Sequence, residues 1–248
     1  MTELNSVYLA WQSPENRDWY VVGFLQESED GYIFNYTNGA KLSEKFIPFS
    51  GMEQLDKTYV SDDLFPLFRN RLLSPRRPEY PNFIKWLGLE SSSTSPIEVL
   101  ARSGGLRGTD QLQMFKRVHL KKDNSFEHYF FVHGLSHLSE SAIERVSKLE
   151  PGDKLYLCLD CQNTYDDSAV LIRAEKPSEI IGYCPRYLAK DINKFLTTDK
   201  KNIHIEVEMV SNDAPSNYRL MCKLSGIINK DHGLSPLMSE DEYQLISN

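Results

Sequence analysis

A mixed α+β fold, mostly β and split into two domains, is what this sequence predicts, and three observations carry that prediction. The chain has 248 residues, longer than the roughly 100–200 residues of an ordinary domain. Short bursts alternating apolar and polar residues recur along it, separated by Gly, Pro, Asn and Asp, which is how strands and turns read in a sequence. Segments with the helical repeat are few and short.

The elements follow in order. Residues 6–12, 19–26 and 31–37 read as strands, with turn signals at Pro14-Glu15-Asn16, Asp30-Gly31 and Asn38-Gly39. Glu29-Asp30-Gly31 predicts a hairpin. A helix is expected over Asp62–Leu73, since Leu64, Phe65, Phe68 and Leu72 fall on one face. Ser61 or Asp62 serves as its cap, and the following Pro75 and Pro78 break it. Short helices are expected at Pro81–Leu87 and at Pro96–Arg102, the second opened by Ser95. Residues 102–108 form a glycine-rich loop, and Phe115–Leu120 reads as a strand. The polar run Lys121–Ser125 is the expected domain boundary.

In the second half, His128–Leu135 is an expected strand and Ser141 opens a short helix ending near Leu149. A Pro151-Gly152-Asp153 turn leads to a strand over Lys154–Asp160, with Leu155, Leu157 and Leu159 on one face. Further strands are expected at Ala169–Arg173 and Ile180–Tyr183. Pro185 then starts a helix whose apolar face holds Leu188, Ile192, Phe195 and Leu196. Residues 203–209 alternate strictly, and Tyr218–Leu224 is the last strand. The polar tail after Ile228 is expected to fray.

Hydrophobic residues make up 40% and charged residues 25% of the chain, as in soluble globular proteins. No apolar run reaches the roughly 18 residues that span a bilayer. The opening residues lack a basic stretch followed by an apolar one, so a cytoplasmic protein without membrane contact is expected. Cys158, Cys161, Cys184 and Cys222 are expected to be free thiols. Cys158 and Cys161 have the gap of a metal pair, yet no second close pair follows, so no metal site is expected. No P-loop, nucleophile elbow or zinc-protease motif is present; no enzyme activity and no cofactor are expected.

The net charge is −7, and such a chain does not hold duplex DNA by phosphate neutralisation alone. The charge is uneven. Between Arg69 and Lys122, eleven Lys or Arg oppose four acids, a net of +7, leaving −14 for the rest. Arg69, Arg71, Arg76, Arg77, Arg102, Arg107, Lys116 and Arg117 form an expected auxiliary basic patch for an anionic partner.

Three blocks in the second half carry a family resemblance. They are Val132-His133-Gly134-Leu135, Asn163-Thr164-Tyr165-Asp166-Asp167-Ser168-Ala169-Val170, and Ile181-Gly182-Tyr183-Cys184-Pro185-Arg186-Tyr187-Leu188-Ala189. In this order and spacing, over about 100 residues from 125 to 230, the chain resembles the HIRAN family. The resemblance implies an OB-like β-barrel with short helices that holds a 3′ single-stranded DNA end. It implies that Tyr165 stacks on the terminal base and that Asp166 accepts a hydrogen bond from the free 3′ hydroxyl. Stacking tolerates any base, and a carboxylate repels an internal phosphate while accepting from a terminal hydroxyl. Asn163 would brace the turn, and Tyr183 and Arg186 would lie at the same mouth, Arg186 on a phosphate. The chain departs from the family where an Arg-Tyr pair is replaced by Ser136 and His137, which are expected at the DNA in that pair's place, His137 as the second stacking ring, and where Thr164 replaces the proline of the turn. Residues 125–228 hold 12 Lys or Arg against 15 acids, so affinity from this domain alone should be modest.

The first half, 1–120, is similar to the N-terminal accessory subdomain of HipA-type kinase toxins. The blocks are Phe34-Asn35-Tyr36-Thr37, Leu42-Ser43, Ile47-Pro48 and the stretch Leu64–Leu73. Gly104–Asp110 extends the likeness. The resemblance implies an α+β unit without catalysis that binds a protein partner. The expected function is recognition of single-stranded DNA or DNA ends, in repair or stress defence in a bacterial cell. The alternative is a non-catalytic, regulatory component related to HipA-type toxin–antitoxin systems.

Overall fold

The computed structural model describes residues 5–90, 94–198, 202–228 and 241–247. The chain divides into two compact units, Met1–Arg117 with Met238–Asn248, and Val118–Leu237.

In the first unit, β1 (Ser6–Gln12), β2 (Trp19–Ser28), β3 (Gly31–Tyr36), β4 (Tyr59–Ser61) and β5 (Leu112–Phe115) form an antiparallel sheet in the order β4-β3-β2-β1-β5. The Asp30-Gly31 hairpin forms where its turn residues place it, with Ser28 opposite Gly31. Gly31 takes φ +132°, and a Cβ there would lie 2.4 Å from the Ser61 carbonyl oxygen, so only glycine fits this turn. Buried Phe34, Tyr36 and Phe68 centre the core. Phe34 meets Tyr36 edge-on at 5.0 Å, and Tyr36 stacks on Phe49 at 5.8 Å. The buried Tyr36 hydroxyl donates to the Met52 carbonyl (2.7 Å) and accepts from the Phe49 amide (2.8 Å). Burial pushes its pKa up to about 12, which keeps it a neutral donor.

The α-helices α1 (Pro66–Arg69), α2 (Tyr80–Trp86) and α3 (Pro96–Ser103) decorate the described part of this unit. The Ser95 hydroxyl accepts from the Glu98 amide and caps α3, as expected from a serine before Pro96. The long helix expected over residues 62–73 is a single turn. Phe65 is extended (φ −50°, ψ 142°) and Pro66 sits at the first helical position. Leu64 and Phe65 are therefore buried from an extended approach, not from a helical face. The strand expected at 115–120 lies earlier. All four residues of β5 are buried, Gln113 included, so polar–apolar alternation does not mark it.

In the second unit, β6 (Ser125–Phe131), α4 (Glu140–Ser147), β7 (Lys154–Leu159), β8 (Val170–Ala174), β9 (Glu179–Tyr183), α5 (Arg186–Thr198), β10 (Ile203–Val210) and β11 (Leu220–Ile227) follow in sequence. The six strands run in the order β6-β11-β10-β7-β8-β9, all antiparallel. The α4 cap is Ser139, whose hydroxyl accepts from the Ala142 amide, two residues before the expected Ser141. Tyr218 belongs to a 3-10 turn, and the last strand begins at Leu220. The core joins Phe126, Val170, Ile172, Ile181, Ile192, Val207 and Cys222.

Two boundaries differ from the sequence reading. Val118 is only 3% exposed and belongs to the second core, so the units divide before it. Residues 121–125 form a tight turn closed by Lys121 N–H to Ser125 O (2.8 Å) and Asn124 N–H to Lys121 O (2.9 Å). The tail does not fray throughout: residues 241–247 pack on the first unit, with the Ile246 amide donating to Tyr36 O at 3.0 Å. Residues 229–240 lie outside the described ones. No helix among the described residues is long and apolar enough to cross a membrane.

The expected basic patch loses one member to the interior. The Arg71 side chain is only 2% exposed. Its guanidinium donates to Leu67 O (3.1 Å) and Gly105 O (2.8 Å) and pairs with Asp110. A guanidinium so held pins two loops and does not reach a phosphate. Arg69, Arg76, Arg77 and Arg107 are exposed, while Arg102, Lys116 and Arg117 are partly covered. Arg71→Ala should therefore lower stability by about 2 kcal/mol or more in urea unfolding, as loss of one partner of a buried pair does. Arg76→Ala and Arg77→Ala should stay within about 0.5 kcal/mol of wild type. Equal small effects for all three would return Arg71 to the surface patch.

Candidate nucleic-acid interface

The site grows from a seam in the second unit. Among the described residues the strand order is that of an open sheet. Its two ends meet at one isolated bridge between His133, just past β6, and Tyr183, the last residue of β9. The His133 amide donates to Tyr183 O and the Tyr183 amide donates to His133 O, both at 2.9 Å. Such closeness depends on Gly182. Its φ is +133°, and a Cβ there would lie 2.3 Å from Val132 Cγ1 and 2.6 Å from His133 O.

The seam aims the Tyr183 side chain at the loop 160–169 between β7 and β8. Its hydroxyl donates to Asp160 Oδ2 at 3.1 Å. Burial, then the Asp160 carboxylate, raises the Tyr183 pKa above that of an ordinary phenol. Asp160 also accepts from Asn163 Nδ2 at 2.9 Å. Asn163 in turn accepts from the amides of Tyr165 (3.0 Å) and Asp166 (3.1 Å), the Asx-type bracing that asparagine gives to turns. The loop base is closed by Asp160 N–H to Ala169 O and Ala169 N–H to Asp166 O, both 3.0 Å.

On this frame Tyr165 stands 75% exposed as a residue. Asp166 accepts from the Ser168 amide (3.0 Å) and pairs with Arg186 Nε (3.2 Å). Arg186, first residue of α5, also donates to Tyr165 O. The site therefore juxtaposes an exposed aromatic face, a partly solvated carboxylate and a guanidinium. Those groups can stack on a base, accept from a hydroxyl and contact a phosphate.

Asn163, Tyr165, Asp166, Tyr183 and Arg186 are thus brought together. Ser136 and His137 are exposed on the 3-10 turn Leu135–His137. The preceding Gly134 lies against the Tyr183 ring, where a Cβ would come 3.4 Å from Tyr183 Cδ2. Asp160 was missed by the sequence reading, although it ties Tyr183 to Asn163. Its signal is the three-residue spacing to Asn163 at a strand end, which is readable as a turn but not as a hub. Among the described residues no three His, Cys, Asp or Glu gather as metal ligands. Cys184 and Cys222 are buried, and burial raises both thiol pKa values; Cys161 is exposed.

Residues 125–228 match the family model of the HIRAN domain, and this segment is a HIRAN domain. Among solved structures, the HIRAN domain of human HLTF is 14% identical, covering 52% of this chain and 94% of its own, with a TM-score of 0.36. A protein from Lactobacillus plantarum is 16% identical, covering 42% of this chain and 99% of its own, with a TM-score of 0.33. No curated protein matches the chain.

Two outcomes test the frame. Asp160→Ala should cost about 1–3 kcal/mol of stability, the range for losing a charged acceptor from two hydrogen bonds in a part-buried site. Tyr183→Phe should cost about 0.5–1.5 kcal/mol. The second concerns pH. His133 is partly accessible, but dense packing desolvates its ring and pushes its pKa down to about 4 from 6.5. Above the free value the imidazole is neutral in both states. As pH falls from 6.5 toward 4, the unfolded chain takes up a proton that the folded chain refuses, so stability falls. The urea midpoint should drop between pH 7 and pH 5, and His133→Gln should flatten that drop. An unchanged slope in the variant would clear His133 of the effect.

Proposed function

We propose that the HIRAN domain of this chain binds single-stranded DNA at the loop 160–169, with preference for a free 3′ end. One observation carries the reading: an aromatic residue, Tyr165, held three-quarters exposed on a loop whose backbone is tied at both ends. A loop tip left to chance would not present an apolar face so rigidly, and stacking on a base rewards it by about 1–3 kcal/mol.

End preference follows from the neighbours. Asp166 retains acceptor capacity beside its bonds to Ser168 and Arg186. A 3′ hydroxyl placed over Tyr165 donates to that carboxylate, while a phosphate there meets its negative charge. Arg186 offers its guanidinium to the preceding phosphate. The domain has more acids than bases, so stacking and end recognition dominate over the general attraction of cations for phosphate. The family assignment of residues 125–228 supports DNA binding; a repair or defence role is part of the proposal.

A second reading, a non-catalytic interaction component of HipA-like type, is favoured by one feature. The first unit holds residues 241–247, a 3-10 turn followed by a single bridge from Leu245 to Thr37, against its sheet.

Fluorescence anisotropy with short single strands tests the DNA reading. Tyr165→Ala and Asp166→Ala should each weaken binding by at least about 1 kcal/mol, roughly fivefold. A 3′ phosphate should weaken it as well. Because about one or two phosphates are engaged, the log–log salt slope should be shallow, roughly −0.7 to −1.4. Equal affinity for hydroxyl and phosphate ends removes the end preference alone. No binding at low salt removes the proposal.

A further inference from the structure

The helix that starts at the loop 160–169 site carries a row of cations leading away from it. Arg186, Lys190 and Lys194 of α5 follow at four-residue intervals. Such residues share one face of a helix, each about 6 Å further along its axis. That face points outward. Leu188, Ala189, Ile192 and Phe195 are buried in the core of the second unit and occupy the opposite side. Lys190 is exposed, and Arg186, Asn193 and Lys194 beside it are part-exposed, with exposed Thr197 at the far end. Asp191, the acid of this helix, is turned about 100° from Lys190 and lies on the flank of the row.

A solvated helix face needs no such row. On α4 of the same unit, Glu144 and Lys148 stand four apart and pair at 2.6 Å, the arrangement that stabilises an exposed helix. On α5 the four-residue steps join like charges twice, which works against the helix. The domain as a whole holds 12 Lys or Arg against 15 acids over residues 125–228, so three cations on one face with no acid among them stand out from it. The row also begins at the loop tip. Arg186 Nε pairs with Asp166 at 3.2 Å, and the same guanidinium donates to Tyr165 O. A strand whose 3′ terminus is held at Tyr165 and Asp166 can continue from there only toward its 5′ side. The axial step of about 6 Å between the cations is close to the step between neighbouring phosphates of an extended strand. Cations spaced along a backbone hold a single strand without reading its bases.

We infer that the outer face of α5 is a phosphate track, on which Lys190 and then Lys194 hold the backbone phosphates that lie 5′ of the one at Arg186. The inference rests on the end-binding reading of the loop 160–169 and adds the path of the strand beyond it. The test is fluorescence anisotropy on the full chain with single strands of about twelve nucleotides carrying a free 3′ hydroxyl. In one strand every linkage is a phosphate; in the other, the second and third linkages from the 3′ end are uncharged methylphosphonates. The double variant Lys190→Ala/Lys194→Ala keeps the helix, since alanine is its best former. It should bind the all-phosphate strand at least about threefold more weakly than wild type. The neutralised strand should bind wild type and variant alike, within about twofold, because the partners of the two lysines are already gone. On the all-phosphate strand the log–log salt slope of wild type should be steeper than that of the variant by about 1.4, the contribution of two phosphates. Lys148→Ala/Lys154→Ala removes the same charge elsewhere in the unit and should leave binding unchanged. An equal loss in this control, or an equal loss on both strands, makes the effect one of net charge and overturns the track. Undiminished binding by the α5 variant also overturns it, and the end reading then stands if Tyr165→Ala still weakens binding. A wild-type chain that binds neither strand removes the end reading and the track together.

Discussion

Two backbone hydrogen bonds between His133 and Tyr183 carry the geometry of the second unit. Among the described residues the sheet they join is otherwise open, and its ends meet at no other strand pairing. Because Tyr183 ends β9 and faces the loop 160–169, the seam that rolls the sheet also fixes where its hydroxyl points. From there the constraint passes through Asp160 to Asn163 and into the backbone of Tyr165 and Asp166. Each step is a specific hydrogen bond, so the exposed residue is set by the seam together with the loop's own Asx bracing. Gly182 makes the chain of bonds possible, since any side chain there would collide with Val132 and His133.

That arrangement suits a domain with little positive charge. A basic surface holds nucleic acid through many weak phosphate contacts and loses it as salt rises. With 12 Lys or Arg against 15 acids over residues 125–228, this domain has no such surface on balance. It has one ring presented for stacking, one guanidinium and one carboxylate in contact with each other. Under the proposed function, such a site would select by shape and by the chemistry of an end, with preorganisation compensating for weak long-range attraction.

The first unit is built differently. Its centre is an aromatic cluster around Phe34 and Tyr36, with the Tyr36 hydroxyl satisfied by two backbone groups. The buried Arg71 plays a comparable part at the margin, tying Leu67, Gly105 and Asp110 together. The same Tyr36 offers its carbonyl to Ile246, so the core residue that organises the unit also forms one wall of the surface where the tail lies.

Local chemistry was legible in the amino-acid order. The Asp30-Gly31 hairpin, the Ser95-Pro96 helix start and the strands over residues 154–159 and 203–210 follow from periods and caps that need no distant partner. The loop residues Asn163, Tyr165 and Asp166 were legible too, because an Asx turn is built from neighbours and because the three blocks around it carry a family likeness. Tertiary structure decided the rest. Leu64 and Phe65 look helical by spacing, yet Pro66 and the needs of the core extend them. Gln113 hides β5 by sitting at a buried position, and Arg71 reads as surface charge until Asp110 and Gly105 come to meet it. Asp160 became the hub only when the seam brought Tyr183 to it across 23 residues, and the polar tail gained structure only from a sheet more than 200 residues away in sequence. In each case the deciding partner lies far along the chain, and a contact between distant residues leaves no local pattern to read.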